Sequence, residues 1–200
     1  MNRSNKPLFA NHFLITACMV MAVMAAGGCR RNYTPKPRGY FRIDLPEHAY
    51  REYRSDCPFS FEFPVYANVQ PDRSRMARPC WFNVVYPDFN GTIHLSYQTV
   101  KKNLEELTED ARTLVYKHSI KADAIGEQLF THPDKKVYGI LYDIKGNTAS
   151  SVQFFLTDSS RHFIRGALYF NASPNADSLA PVIRFCREDI IHLIETFSWQ

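Results

Sequence analysis

The feature that most limits what this chain can build is its first 28 residues. Arg3 and Lys6 precede an apolar run, Phe13 to Ala26 (FLITACMVMAVMAA), that closes on Gly27 and Gly28. A helix needs roughly 20 apolar residues to cross ~30 Å of hydrocarbon, so this run does not make a permanent span. Its order, basic then apolar then small, is that of a secretory signal. Residues 1–28 are therefore expected to be removed, and the remainder to fold in an exported compartment where disulfides form.

The next residue is Cys29. An ordinary cleavage site requires no cysteine there, whereas small residues directly before one match the bacterial lipobox, in which the cysteine is acylated and becomes the new first residue. Ala26 stands where a bulkier aliphatic is usual. The expected attachment is by lipid alone, each buried CH₂ contributing ~0.8 kcal/mol. Residues 29–39 then read as anchor and spacer: two alternate prolines in Tyr33–Gly39 (YTPKPRG) favour extended polyproline II. About ten such residues at ~3.1 Å each hold a domain roughly 30 Å from the bilayer. Arg30, Arg31, Lys36 and Arg38 can lie against anionic headgroups.

Residues 40–200 suit a single globular domain. The signal carries two of the 24 basic residues and none of the acidic ones, leaving 22 basic against 20 acidic, a balance of +2. Mixed signs without a long charge run leave no footprint for nucleic acid.

Alternating or β-rich segments predict strands at Phe59–Phe63, closed by Pro64, and at Trp81–Tyr86 and Thr92–Val100, the last two joined by a turn at Asp88–Gly91. A helix is predicted from Asn103, with Glu106 completing a capping box and Leu104, Leu107, Ala111, Leu114 and Val115 forming its apolar stripe. His118 continues that stripe as a core histidine. Strands follow at Ile125–Phe130, Lys136–Ile144, Ser151–Thr157 and His162–Phe170. A terminal helix is expected to be capped by Ser178, with Pro181 at its third position, and to run to about Phe197. The sum is an α+β fold, a mainly antiparallel sheet covered by two amphipathic helices. Its element order resembles the Mog1/PsbP-like sandwich.

Of the remaining cysteines, Cys186 falls on the apolar stripe of the terminal helix and reads as a buried hydrophobe. Cys57 and Cys80 are left as the expected disulfide, with two free structural thiols as the alternative. Histidines 48, 94, 118, 132, 162 and 192 never fall at a paired ligand spacing, so no metal site and no cofactor are expected. Catalytic motifs such as a nucleophile elbow, a Walker loop or a dinucleotide fingerprint are lacking. Asp158, Ser159, Ser160 and His162 contain the residue types of a hydrolytic triad, but crowded into one turn they read as turn chemistry. Asn147, Thr148, Ser150, Ser151 and Gln153, with Tyr138, Tyr142 and Tyr169, can line a polar groove. Exposed loops on a rigid sheet often carry recognition. The candidate partner-binding residues are accordingly Asn147, Thr148, Ser150, Ser151, Asp158, Ser159 and His162.

Several longer stretches are distinctive: Tyr33–Tyr40, Tyr116–His118 with Lys121-Ala122, Gly146–Ser150, Gln153–Ser159, Arg165–Phe170 and Pro174–Leu179. Together with the lipobox they resemble the GldD family of gliding motility lipoproteins of the Bacteroidota. The resemblance implies a non-enzymatic envelope protein accessory to gliding and type IX protein secretion, with the lipoprotein GldJ as expected partner and no catalytic residues to carry over. Arg30 and Arg31 stand where surface-exported lipoproteins of that phylum tend to carry acidic residues, so a periplasm-facing domain is expected. The alternative is an envelope hydrolase or small-ligand binder, which would require a deep pocket with convergent Ser, His and Asp side chains.

Overall fold

A computed structural model of the chain describes residues 43–117 and 121–200, together with the helical Thr16, Ala17 and Met19. Cys29, the spacer Tyr33–Gly39 and His118 lie outside the described residues. The elements that follow all belong to one unit, Phe41–Gln200.

Chain order is β1 (Tyr50–Tyr53), β2 (Phe59–Pro64), β3 (Asn68–Pro71), β4 (Phe82–Tyr86), β5 (Gly91–Thr99), α1 (Leu104–Tyr116), β6 (Ala122–His132), β7 (Val137–Gly146), β8 (Ser150–Thr157), β9 (His162–Phe170), α2 (Ala176–Thr196) and β10 (Ser198–Trp199). Seven strands form an antiparallel sheet in the order β3-β4-β5-β9-β8-β7-β6, and β1-β2-β10 form a second, three-stranded sheet. The β4–β5 and β6–β7 hairpins use the same device. Pro87 and Pro133 each open a single 3-10 turn, and a left-handed residue, Asn90 (φ 49°) or Lys136 (φ 51°), closes it. Proline pre-sets the first dihedral, and asparagine tolerates the left-handed region better than lysine does.

Period-two alternation gives the large sheet two apolar faces. On one, Val84, Ile93, Leu95, Leu141, Val152, Phe154, Leu156, Ile164 and Leu168 join Phe59, Phe61 and Phe63 of β2 and the inner side of α2 in the main core. On the other, Leu107, Ala111 and Val115 of α1 cover Tyr142, Ile144, Phe155 and Phe163. β8 lies between both layers, and all eight of its residues are buried. The Cys57 and Cys80 sulfurs are bonded, with 5.7 Å between Cα atoms, closing the segment that carries β2 and β3. In the chain-entropy picture a loop of this length contributes roughly 3 kcal/mol. Cys186 is free and fully buried, and burial, with Asp189 nearby, pushes its thiol far above its ordinary value.

The short strands β3 and β10 are not among the expected elements, and the structure differs from expectation at three further places. An extra strand, β1, precedes the expected first one and pairs with β2 from Tyr50↔Pro64 to Tyr53↔Phe61. Asn103 precedes α1 but makes no side-chain cap: its Oδ1 accepts the Lys101 N–H at 2.8 Å across a turn in which Lys102 is left-handed (φ 63°). The terminal helix begins earlier than expected, at Ala176, capped by Asn175, whose Oδ1 accepts the Ser178 N–H at 3.3 Å. Asn147 of the β7–β8 turn supplies a second acceptor, taking the Ala176 N–H at 2.8 Å. Two asparagines thus satisfy helix donors that otherwise face no carbonyl. Pro181 consequently sits inside the helix, where its ring supplies no donor for the preceding turn.

The main core also holds a charge. Asp189, 1% exposed, lies on the inner side of α2 among Phe185, Cys186, Ile190 and Leu193. Tyr66 Oη donates to its Oδ1 at 2.8 Å and Tyr50 Oη at 3.0 Å, while His48 Nδ1 stands 2.8 Å from the same oxygen. The other side of the His48 ring faces Glu188, with Nε2–Oε2 at 3.1 Å. Tyr50 stacks on His192 at 3.5 Å between ring centroids, and His192 Nε2 lies 2.7 Å from Glu62 Oε2 on β2. Burial and the neighbouring carboxylate push both tyrosine hydroxyls well above their usual range. The chain entering β1 is therefore pinned to α2 by His48 and Tyr50, and the chain leaving β2 by Tyr66.

Two outcomes follow. A Cβ at Gly166 would fall 2.2 Å from the Phe154 ring, so Gly166→Ala must displace a core aromatic. It should cost about 1–3 kcal/mol in urea unfolding. Asp189→Ala strands three donors and should cost about 2–4 kcal/mol. Its titration has a definite sign. Burial raises the Asp189 carboxyl above its ordinary 3.8 despite its hydrogen bonds, so its contribution is complete below that value and is lost as pH rises through the folded one. Asp189→Asn lacks this titration, and stability measured from pH 3 to 7 should show wild type losing ground to the variant as pH rises.

Candidate functional site

A cleft of ≈ 330 Å³ opens between the end of β7 and the first half of α2. Its strand wall is Asp143, Ile144, Lys145 and Gly146, with Ser151 of β8. Its helix wall is Ala176, Ala180, Ile183, Arg184 and Arg187. The hollow follows from the sequence of α2. Residues 176, 180, 183 and 187 share one helical stripe, and the first two are alanines whose side chains are too short to meet the strand.

Arg187 closes the inner end of the cleft. Its guanidinium grips Asp143 with Nε–Oδ1 at 2.6 Å and Nη2–Oδ2 at 2.8 Å, and Nη2 also donates to Gln128 Oε1 of β6 at 3.0 Å. The bidentate bond to Asp143 raises the arginine further above its ordinary value. This pair is committed to holding α2 against the sheet. Lys145 and Arg184 differ: both are exposed, and neither side chain has a hydrogen-bond or ion-pair partner among the described residues. The result is a largely apolar hollow rimmed by two uncommitted cations. It suits an apolar side chain flanked by a carboxylate. Burying one such side chain is worth about 1.5–3 kcal/mol, and each exposed ion pair adds about 0.2–1 kcal/mol. The apolar anchor would therefore dominate affinity, with the cations setting orientation and encounter rate.

Asn147 lies beside this cleft, exposed and bonded to the start of α2, and Ser151 forms part of its floor. Thr148 and Ser150 are buried, their hydroxyls donating to the backbone carbonyls of Ser150 and Val152. Gln153 is also buried, its Oε1 accepting from Arg165.

Asp158, Ser159 and His162 lie at the opposite end of β8, roughly 23 Å away at the rise of an extended strand. There the Asp158 carboxylate accepts the backbone N–H groups of Ser160, Arg161 and His162 at 2.9, 2.7 and 2.8 Å. Burial opposes its charge, but these donors outweigh that and hold it down at about 2. Ser159 is exposed in a left-handed conformation (φ 65°). The His162 ring bonds Tyr97 Oη at 2.7 Å and stacks on Trp199, and burial lowers its pKa. Asp158 thus serves its own turn, and its carboxylate meets the His162 backbone. Among the tyrosines, Tyr142 is buried under α1, while Tyr169 packs against His94 on the side of the sheet toward β5. Tyr138, Tyr142 and Tyr169 are not among the residues that line the cleft.

Sequence reasoning did not single out Lys145, Arg184, Arg187 or Asp143. The available signal was the stripe of two alanines, isoleucine and arginine beside the main apolar stripe of α2. Asp189 was legible in the same way, lying three residues after Cys186 and four before Leu193 on the apolar face.

Comparison with curated proteins finds no match. Among solved structures, the chain is similar to one described as the solution structure of cyanobacterial PsbP (CyanoP) from Synechocystis sp. PCC 6803, at 10% identity and a TM-score of 0.48, covering 80% of this chain and 98% of that one. The family model described as gliding motility lipoprotein GldD matches residues 30–199. That match runs through every strand and helix of the unit described above and both walls of the cleft: the chain belongs to the gliding motility lipoprotein GldD family.

Proposed function

We propose that this lipoprotein is a non-catalytic recognition module, held to a membrane by acyl chains on Cys29 and facing the periplasm, that binds another envelope lipoprotein through the cleft between β7 and α2. Family membership associates the chain with gliding motility. Support of type IX secretion, with GldJ as the partner, is the finer reading and rests on the family resemblance. One observation carries the choice of surface: an apolar hollow whose rim cations, Lys145 and Arg184, are uncommitted. The cleft's lining holds a single serine, Ser151, no histidine, and one carboxylate, Asp143, that is already gripped by Arg187, which does not favour hydrolysis there.

The test separates binding from folding. Lys145→Glu combined with Arg184→Glu reverses the rim, and Ala180→Phe fills the hollow from an exposed helix position. Neither change touches the core, so unfolding free energies should stay within about 0.5 kcal/mol of wild type. Co-purification of GldJ with the variants should fall about tenfold, the equivalent of about 1.4 kcal/mol, with gliding and secretion reduced alongside. Folded variants that retain wild-type co-purification and motility would remove the cleft from the account.

A further inference from the structure

The two edges of the seven-stranded sheet are treated differently. β3, at one edge, has four residues and ends in Pro71, which cannot donate to a further strand. β6, at the other, has eleven residues, pairs with β7 continuously from Ala124↔Lys145 to His132↔Val137, and has no strand on its outer side among the described residues. Devices that usually blunt an edge are sparse here. A register shift occurs only at its start, between Ala122 and Ala124, and residues 124–132 contain no proline or lysine and one charge, Glu127. In the middle stands Leu129, 74% exposed, on the sheet face that α1 covers elsewhere.

The geometry points to β6 as a strand-pairing interface with a second copy of this chain, the two β6 strands running antiparallel about a two-fold axis at Leu129. Antiparallel neighbours place directly opposed side chains on one face, so a symmetric pair admits only registers in which the opposed residue numbers share parity. Centring on Glu127 sets two carboxylates against each other, which is unfavourable. Centring on Gln128 sets Glu127 against Leu129. Centring on Leu129 sets Leu129 against its own copy, Glu127 against Thr131, Gln128 against Phe130 and Gly126 against His132. This register has no like-charge pair, and it sets the exposed leucine against another apolar side chain. The self-complementarity argues for a copy over an unrelated strand. β6 pairs with the cleft's strand wall at Asp143–Gly146, but none of its own residues lines the cleft. The cleft mouth at Lys145 and Arg184 thus stays open in the pair, and this interface can fail or hold independently of the partner-binding reading.

Cysteine cross-linking of the full chain in intact cells tests the register. Cys186 is buried and Cys57 is bonded to Cys80, so a new surface thiol reports alone among the described residues. Opposed Cβ atoms in an antiparallel pair lie about 4.5–5.5 Å apart, close enough for a short bis-maleimide reagent or for oxidation. Leu129→Cys should give a species of twice the monomer mass that retains only this chain. Co-expressed Glu127→Cys and Thr131→Cys chains should give a mixed dimer that neither gives alone. Met76→Cys, 78% exposed and away from β6, should stay monomeric. Monomer only from Leu129→Cys, adducts of another mass, or equal dimer from Met76→Cys would each overturn the proposal.

Discussion

One carboxylate organises this domain. Asp189 lies on the apolar side of a 21-residue helix, 1% exposed, and is the meeting point of His48, Tyr50 and Tyr66. Taking a carboxylate out of water costs several kcal/mol, while each hydrogen bond to a charged group returns about 1.5–3 kcal/mol. The raised Asp189 pKa shows that burial is the larger influence on its charge. The network is therefore a poor source of net stability and a strong source of specificity: only one rotation and one axial position of α2 bring the carboxylate to all three donors. An apolar helix face alone would tolerate slippage.

Fixing α2 fixes what its flanks do. With Asp189 facing inward, Arg187 reaches Asp143 on β7 and Gln128 on β6, and the alanines at 176 and 180 leave the hollow beside Lys145. The same network holds the chain at His48 and Tyr50, where it enters the domain from the N-terminal side. The cleft wall and the hold on His48 and Tyr50 are both set by one helix.

Much of the fold was legible because it rests on local periodicity. Alternation located β4, β5, β7, β8 and β9 to within a residue or two, and α1 begins one residue after Asn103. The strand β1 escaped because YREY has no apolar alternation and pairs only through β2. The start of α2 was misplaced because its caps are tertiary. Asn147, 29 residues away, meets Ala176 only once the sheet has formed. The polar segment near residue 147 was recognised as a candidate, but its residues divide by burial. Thr148 and Ser150 are buried away from the cleft, while Asn147 is exposed and Ser151 lines the cleft, a distinction that composition does not encode. Lys145 and Arg184 were invisible as a pair because they are 39 positions apart on different elements, brought together by helix packing.

The claim that function resides on the β7–α2 side of the sheet is open to direct measurement in living cells. A photoreactive residue can be placed at Ala180, on the cleft's helix wall, and separately at Thr113, exposed on α1 over the opposite face. Illumination should then give a discrete adduct with another envelope protein from position 180 and none from position 113. The reverse pattern, or no adduct from position 180 in anchored and folded protein, would contradict the account.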